Sequence, residues 1–228
     1  MNSVTLKDGT SLPVVKLTKS DLPEIKLLQT KVIEHLTDKT FLQPLTDEEF
    51  EYILEGNGVL VGVHAEGNLI AFRALLDPGD DPEHLGEDAG IPQEQWSSVL
   101  YSEITNVDPA FQGNGLQRQL GKVVMEEVDT EQYTYVCSTV APFNIASIKD
   151  KLELGMHIAA LRVKYETLTR YIMMKNLATE AAVTNNDPIE VGMGETTEQQ
   201  KLLQAGWIGT SIQLREEGYT VTYKKRKR

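Results

Sequence analysis

The chain has 228 residues, of which 40% are hydrophobic and 25% charged, with 34 acidic and 22 basic side chains and a net charge of −12. This is ordinary globular composition, long enough for one sizeable core or one domain with an extension. It excludes an intramolecular disulfide, because Cys137 is the single cysteine, and a membrane span, because GVLVGV at 58–63 is far too short to cross a bilayer. The N-terminal MNSVTLKDGTSL lacks the basic-then-apolar pattern of a secretory leader, and there is no Asn-x-Ser/Thr sequon, so the expected setting is reducing and cytoplasmic.

Residues 4–17 alternate around Asp8-Gly9, the signature of a hairpin. A helix is predicted from Ser20-Asp21, with Leu22, Ile25, Leu28, Val32 and Leu36 on one face, and a second from Asp47 to Leu54. Residues 58–65 and 69–76 read as strands joined at Glu66-Gly67-Asn68. Residues 77–95 hold seven acids (Asp77, Asp80, Asp81, Glu83, Glu87, Asp88, Glu94) and no Lys or Arg, and Gly and Pro break the stretch into a loop. A strand at 98–107, a helix at 115–128 and a strand at 133–140 follow. Next come a helix from Asn144 to Leu154 closed by Gly155, and strands at 157–165 and 167–176. A polar linker near Pro188 leads to a strand, a helix at 197–205 and a strand pair around Glu217-Gly218. The chain ends Lys224-Lys225-Arg226-Lys227-Arg228, and without these five the net charge would be −17. So acidic a body repels nucleic acid, and the basic end is expected to be a solvated, frayed terminus.

The turn Gly113-Asn114-Gly115 joins a strand to a helix, where glycines let a backbone approach a ligand. Three phosphate-cradling patterns compete for it. A P-loop fails, because five residues separate Gly115 from Gly121-Lys122 and Val123 replaces the hydroxyl residue. A dinucleotide fingerprint fails, because Arg118 stands where the third glycine belongs. The stretch Gln112-Gly113-Asn114-Gly115-Leu116-Gln117 resembles the Gln/Arg-x-x-Gly-x-Gly/Ala loop of the GNAT superfamily, the GCN5-related N-acetyltransferases. Gln117 departs from that pattern. STVAPFNIASIKDKLELGM at 138–156 resembles the Asn-x-x-Ala/Ser…Leu-Gly-Phe/Met segment of the same superfamily, most nearly in its ribosomal-protein N-acetyltransferase-like branch.

The likeness covers residues 98–156 specifically, and element order extends it to about 10–176. It implies an α/β (mixed α+β) GNAT fold, a mostly antiparallel twisted sheet of about seven strands flanked by helices. The GNAT domain would be 1–177 and a strand–helix–strand extension 178–228. It also implies acetyl-CoA as cosubstrate; no metal is expected, because the histidines lack metal-ligand spacing. The pyrophosphate would meet Gln112, Gly113, Asn114, Gly115, Leu116, Gln117 and Arg118. There the unpaired N–H groups and dipole of a helix N-terminus attract anions. The pantetheine arm would pair with Ile104, Thr105, Asn106 and Val107, and Asn144 and Ser147 would approach the cofactor. Asn144 is also a natural helix N-cap.

An amine attacking the thioester must first lose a proton. The resemblance makes Glu103 the general base, on a strand whose alternation would put Tyr101, Glu103 and Thr105 on one face. The tyrosine that commonly protonates the leaving thiolate would fall at position 151, which is Lys151. Tyr133, Tyr135 and Tyr165 are substitutes that position alone does not separate. Cys137, mid-strand with no nearby His, reads as packing. His35, His64, His84 and His157 lack metal-ligand spacing.

The implied reaction is acetyl transfer from acetyl-CoA to a primary amine on a small molecule or a protein. The alternative is a non-catalytic acyl-CoA-binding sensor of the same fold. The acids of 77–95 either steer a cationic acceptor or are simply solvated. The extension, with Leu202, Leu203, Trp207 and Tyr219, covers the sheet, forms a homodimer contact or walls the acceptor site. No nucleic-acid or membrane partner is expected.

Overall fold

A computed structural model describes residues 2–184 and 187–227. Its first elements are β1 (Ser3–Thr5), β2 (Ser11–Lys16), α1 (Leu22–His35), α2 (Asp47–Leu54), β3 (Gly58–Ala65) and β4 (Asn68–Leu76). Then come α3 (Leu85–Asp88), β5 (Val99–Val107), α4 (Leu116–Glu126), β6 (Tyr135–Val140), α5 (Ile145–Glu153), β7 (His157–Lys164) and β8 (Leu168–Asn176). Last are β9 (Ile189–Gly192), α6 (Thr196–Gln204), β10 (Trp207–Arg215) and β11 (Gly218–Lys225). The fold is mixed α/β, and the chain divides into two compact units: 1–77 with 100–129, and 78–99 with 130 onward.

In the first unit the strand order is β1-β2-β3-β4-β5, antiparallel throughout. The α2 helix starts on a capping box in which Thr46 and Glu49 satisfy each other's backbone N–H groups. From α1, Ile25, Leu28 and Val32, and from α2, Phe50 and Ile53, form one cluster with Leu60, Phe72, Ala74 and Ile104 of the sheet. Phe50 meets Phe72 edge to face with ring centroids 5.8 Å apart.

The opposite face carries Arg73, 1% exposed, which donates to the Gln117 carbonyl of α4 at 3.1 Å and to Ser102 Oγ at 3.3 Å. These bonds fasten the first turn of α4 to the sheet.

In the second unit the order is β6-β8-β7-β10-β11-β9, again antiparallel. Among the described residues the two units carry five and six strands, more than the seven expected. The N-terminal hairpin and the strands after 188 hydrogen-bond into the sheets. β10 joins β7 at Gly209, opposite Ile158, where a Cβ would lie 2.9 Å from the Ile158 Cβ.

The buried side chain of Gln199 on α6 ties three elements together. Its Oε1 accepts from Tyr171 of β8 at 2.7 Å and from Tyr223 of β11 at 2.8 Å. Its Nε2 donates to the Met193 carbonyl at 2.8 Å. Burial pushes both phenols well above their ordinary pKa, so both remain donors.

Two expectations are corrected here. The acidic loop contains a helical turn, α3. There His84 Nδ1 accepts the Gly86 N–H at 3.0 Å, its ring stacks on Trp96 at 4.7 Å, and Leu85, Ala89 and Ile91 are buried. Apolar residues within an acidic stretch thus gave it a core of its own. The basic terminus is also ordered as far as Lys227. Lys224 and Lys225 end β11, Arg226 N donates to Gly206 O, and Lys227 N donates to Ala182 O.

Candidate functional site

The glycine turn lies in the first unit. Gly113 (φ +81°) and Gly115 (φ +70°) are both left-handed, a conformation that costs a residue with a Cβ about 1–2 kcal/mol. Gly115 is the N-cap of α4, so the first N–H groups of that helix have no preceding turn to accept them. Gln112, Gly113, Gly115 and Arg118 are exposed, Asn114 and Gln117 half-buried, and Leu116 buried as the apolar anchor of the helix.

The loop is held from below. Asn114 Oδ1 accepts the Lys7 N–H at 2.9 Å, and its Nδ2 donates to Phe111 O at 3.0 Å. Gln119 exchanges two bonds with the Thr5 backbone, at 2.8 and 3.0 Å. Asp108 leads into the turn. Burial alone would raise its pKa, but hydrogen bonds from Lys31 (2.6 Å) and the Ala110 N–H (2.9 Å) outweigh that and hold it below the ordinary carboxylate range.

Sequence reasoning missed Lys7, whose ammonium would lie 3.7 Å from a Cβ at Gly113 and so brings a cation to the loop. It also missed Arg73 beneath it. No local signal marks either residue, since Lys7 is more than a hundred positions from its loop partner.

Glu103 sits in β5 and is half-buried. The register sets Ala74 opposite Ile104 and Leu75 opposite Ser102, so Glu103 is the extra residue of a β-bulge. This overturns the expected shared face of Tyr101, Glu103 and Thr105. Facing pairs share a side of the sheet. Tyr101, opposite Leu76, therefore goes with Ile104 and Asn106, while Thr105, opposite Arg73, goes with Ser102 and Val107. The bulge sets Glu103 apart from both rows. Asn106 is fully buried, and neither atom of its amide has a hydrogen-bond partner among the described residues.

In the second unit Asn144 is the N-cap of α5, its Oδ1 accepting the Ser147 N–H at 3.2 Å. The residue before it, Phe143, is exposed and left-handed at φ +67°, and its N–H meets Met193 Sδ at 3.2 Å. Backbone strain next to a polar cap is a feature of ligand sites. Lys151 is buried, with Asp150 3.9 Å away.

The three candidate tyrosines have different partners. Tyr133 precedes β6 and Tyr135 begins it, and their hydroxyls meet Gln132 and Gln95. Tyr165 lies in the turn between β7 and β8, with its hydroxyl 3.0 Å from Thr139 near the end of β6 that leads to Asn144. Burial pushes the Cys137 thiol far above its usual pKa, which suits packing and not nucleophilic chemistry.

The acidic loop is partly spent internally. Asp88 binds Arg162 at 3.2 Å and Lys164 at 3.1 Å, and Glu83 lies 3.4 Å from Lys164. Among the described residues no group of three His, Cys, Asp or Glu side chains could hold a metal ion. Nor is any helix among them long and apolar enough to cross a membrane.

These elements, a bulged strand entering a glycine turn and helix and a second strand entering an Asn-capped helix, are those of an acetyltransferase fold. The chain has the fold of the GNAT acetyltransferases. The Salmonella typhimurium protein yncA, solved with its cofactor acetyl-CoA, is similar over 78% of this chain and 100% of its own, at 16% identity and a TM-score of 0.56. The ribosomal-protein-S18-alanine N-acetyltransferase of Escherichia coli is similar over 77% and 99%, at 18% identity and 0.54. An acetyltransferase of the GNAT family from Streptococcus pneumoniae is similar over 72% and 98%, at 16% and 0.54. No family model matches the sequence, and no curated protein matches it.

Proposed function

We propose that this chain transfers an acetyl group from acetyl-CoA to a primary amine on a small molecule or a protein. The observation that carries the reading is the left-handed pair Gly113 and Gly115 at the exposed N-terminus of α4, with Lys7 beside it. In a fold shared with an acetyl-CoA-bound protein, that turn suits a diphosphate.

In this reading the pyrophosphate is gripped by the backbone of 112–118, the pantetheine arm pairs with Ile104–Val107, and Asn144 and Ser147 are carried over as cofactor contacts from the family resemblance. Glu103, re-aimed by its bulge, removes a proton from the ammonium directly or through one water. The freed amine nitrogen bonds to the thioester carbon, and the C–S bond breaks as the tetrahedral intermediate collapses. A tyrosine hydroxyl would return a proton to the sulfur, with Tyr133, Tyr135 and Tyr165 as the candidates. A thiol of pKa about 8.5 also leaves tolerably without help.

The buried Lys151 at the customary tyrosine position is what favours the second reading, an acyl-CoA-binding sensor without turnover.

Calorimetric titration with acetyl-CoA, followed by thiol release across an amine panel, tests both. Gly113→Val with Gly115→Val should weaken acetyl-CoA binding at least tenfold; unchanged affinity would sink both readings. Glu103→Gln should cut turnover about 10²-fold with little change in acetyl-CoA affinity. Binding without thiol release for any amine would leave only the sensor.

A further inference from the structure

We infer that the second unit carries a binding site for a small molecule with clustered phosphate groups, remote from Asn144. A cavity of about 530 Å³ opens there, between the C-terminal end of α5, the start of β7, the end of β8 and the ordered terminal segment. Asn176 of β8 pairs with Tyr135, the first residue of β6, whereas Asn144 follows the last residue of that strand. The cavity and the α5 N-terminus are therefore separated by the length of β6, about 17 Å.

Four cations line the cavity, Lys175, Lys224, Arg226 and Lys227, against one exposed acid, Glu180. In a chain of net charge −12 this concentration of like charge is anomalous. It is also held in place. Val183 and Arg226 form a β-bridge, Thr184 N donates to Lys225 O at 2.8 Å, and Lys227 N donates to Ala182 O at 2.9 Å. Lys175 is fixed by donating to the Leu154 carbonyl at 2.8 Å, which offsets the negative end of α5 at the rim. Cations gathered around one cavity repel one another, and a polyanion between them relieves that repulsion.

His157 supplies an independent sign of a ligand. It lines the same cavity and is 5% exposed, yet its Nε2 has no hydrogen-bond partner among the described residues. Burial, with a smaller push from Arg226, lowers its pKa to about 4, so at neutral pH it is an uncharged imidazole. A buried polar atom left unpaired calls for an explanation, and a turn of the imidazole toward the cavity would let a phosphate oxygen or hydroxyl pair with it.

The lining includes Met174 and Ile208, an apolar wall suited to a base or acyl part. The volume lies within the usual range for small-molecule sites. A duplex needs a convex basic stripe, and the acidic body opposes one.

The test uses the full chain with pyrophosphate, ATP, citrate and a duplex oligonucleotide as probes, at physiological salt. Pyrophosphate and ATP should bind and move the His157 imidazole resonances, assigned by comparison with His157→Gln. Arg226→Glu with Lys227→Glu should weaken binding at least tenfold, and Arg226→Gln alone should weaken it less. Because pyrophosphate would also suit the glycine turn, the Gly113→Val, Gly115→Val variant is run in parallel and should keep the His157 response. Loss of that response in the glycine variant alone, affinity unchanged by the charge reversals, or tighter binding of duplex would each overturn the site. Citrate binding as tightly as pyrophosphate would overturn its preference for phosphate.

Discussion

Acid should weaken the second unit through His157 by an amount that can be worked out. Its folded pKa is about 4, against about 6.5 in the unfolded chain. Well above pH 6.5 neither state is protonated and the group adds no pH dependence. Below it the unfolded chain takes up a proton that the fold excludes, so stability falls with falling pH. The gap of about 2.5 units corresponds to about 3.4 kcal/mol once pH drops below 4, and to about 2.5 kcal/mol at pH 4.5. Lys175, Lys224 and Arg226 share the cavity and add repulsion to any imidazolium, while the exposed Glu180 offsets little of it. Trp96 and Trp207 both lie in the second unit, so tryptophan fluorescence reports on that unit during urea unfolding. Wild type and His157→Gln would be unfolded at pH 7.5 and 4.5 in monovalent buffers. The variant should lose about 2.5 kcal/mol less than wild type between the two pH values, whatever its packing defect, because that defect cancels in the double difference. Equal acid sensitivity within about 0.5 kcal/mol would refute the buried neutral imidazole.

Removing the side chain of the fully buried Phe50 should cost the first unit about 4 kcal/mol in Phe50→Ala, read by chemical denaturation. Asp88→Asn should cost about 2 kcal/mol, read as a fall in Tm, because Lys164 and Arg162 lose their shared carboxylate. Gly209→Ala should cost about 1–3 kcal/mol, since its methyl would press on Ile158 where β10 meets β7; a neutral result would mean the two strands can move apart.

Much of this fold could be read from local pattern. Asp8-Gly9, Glu66-Gly67-Asn68 and Glu217-Gly218 each mark a turn between paired strands, because turn chemistry and alternation are properties of neighbouring residues. The helix face of Ile25, Leu28 and Val32 is equally local. The unreadable parts all depend on distant partners. The bulge at Glu103 arises from the register with β4, and a one-residue slip there reversed the face assigned to Tyr101. The carboxylates of Asp88 and Glu83 look available for steering until β7 brings Arg162 and Lys164 to them from more than seventy residues away. The basic terminus read as frayed because its backbone partners, Ala182, Thr184 and Gly206, lie outside any local window. At the glycine turn the sequence supplied the backbone conformation, while Lys7, Gln119 and Arg73, which brace it, came only with the fold.

One amide oxygen, on Gln199, serves two phenols from strands on either side of β7 and β10. The chain therefore cannot be divided for fragment reassembly at any point between residues 171 and 223 without parting members of that trio. A fragment lacking Gln199 would leave its phenol without the oxygen that accepts its hydrogen bond.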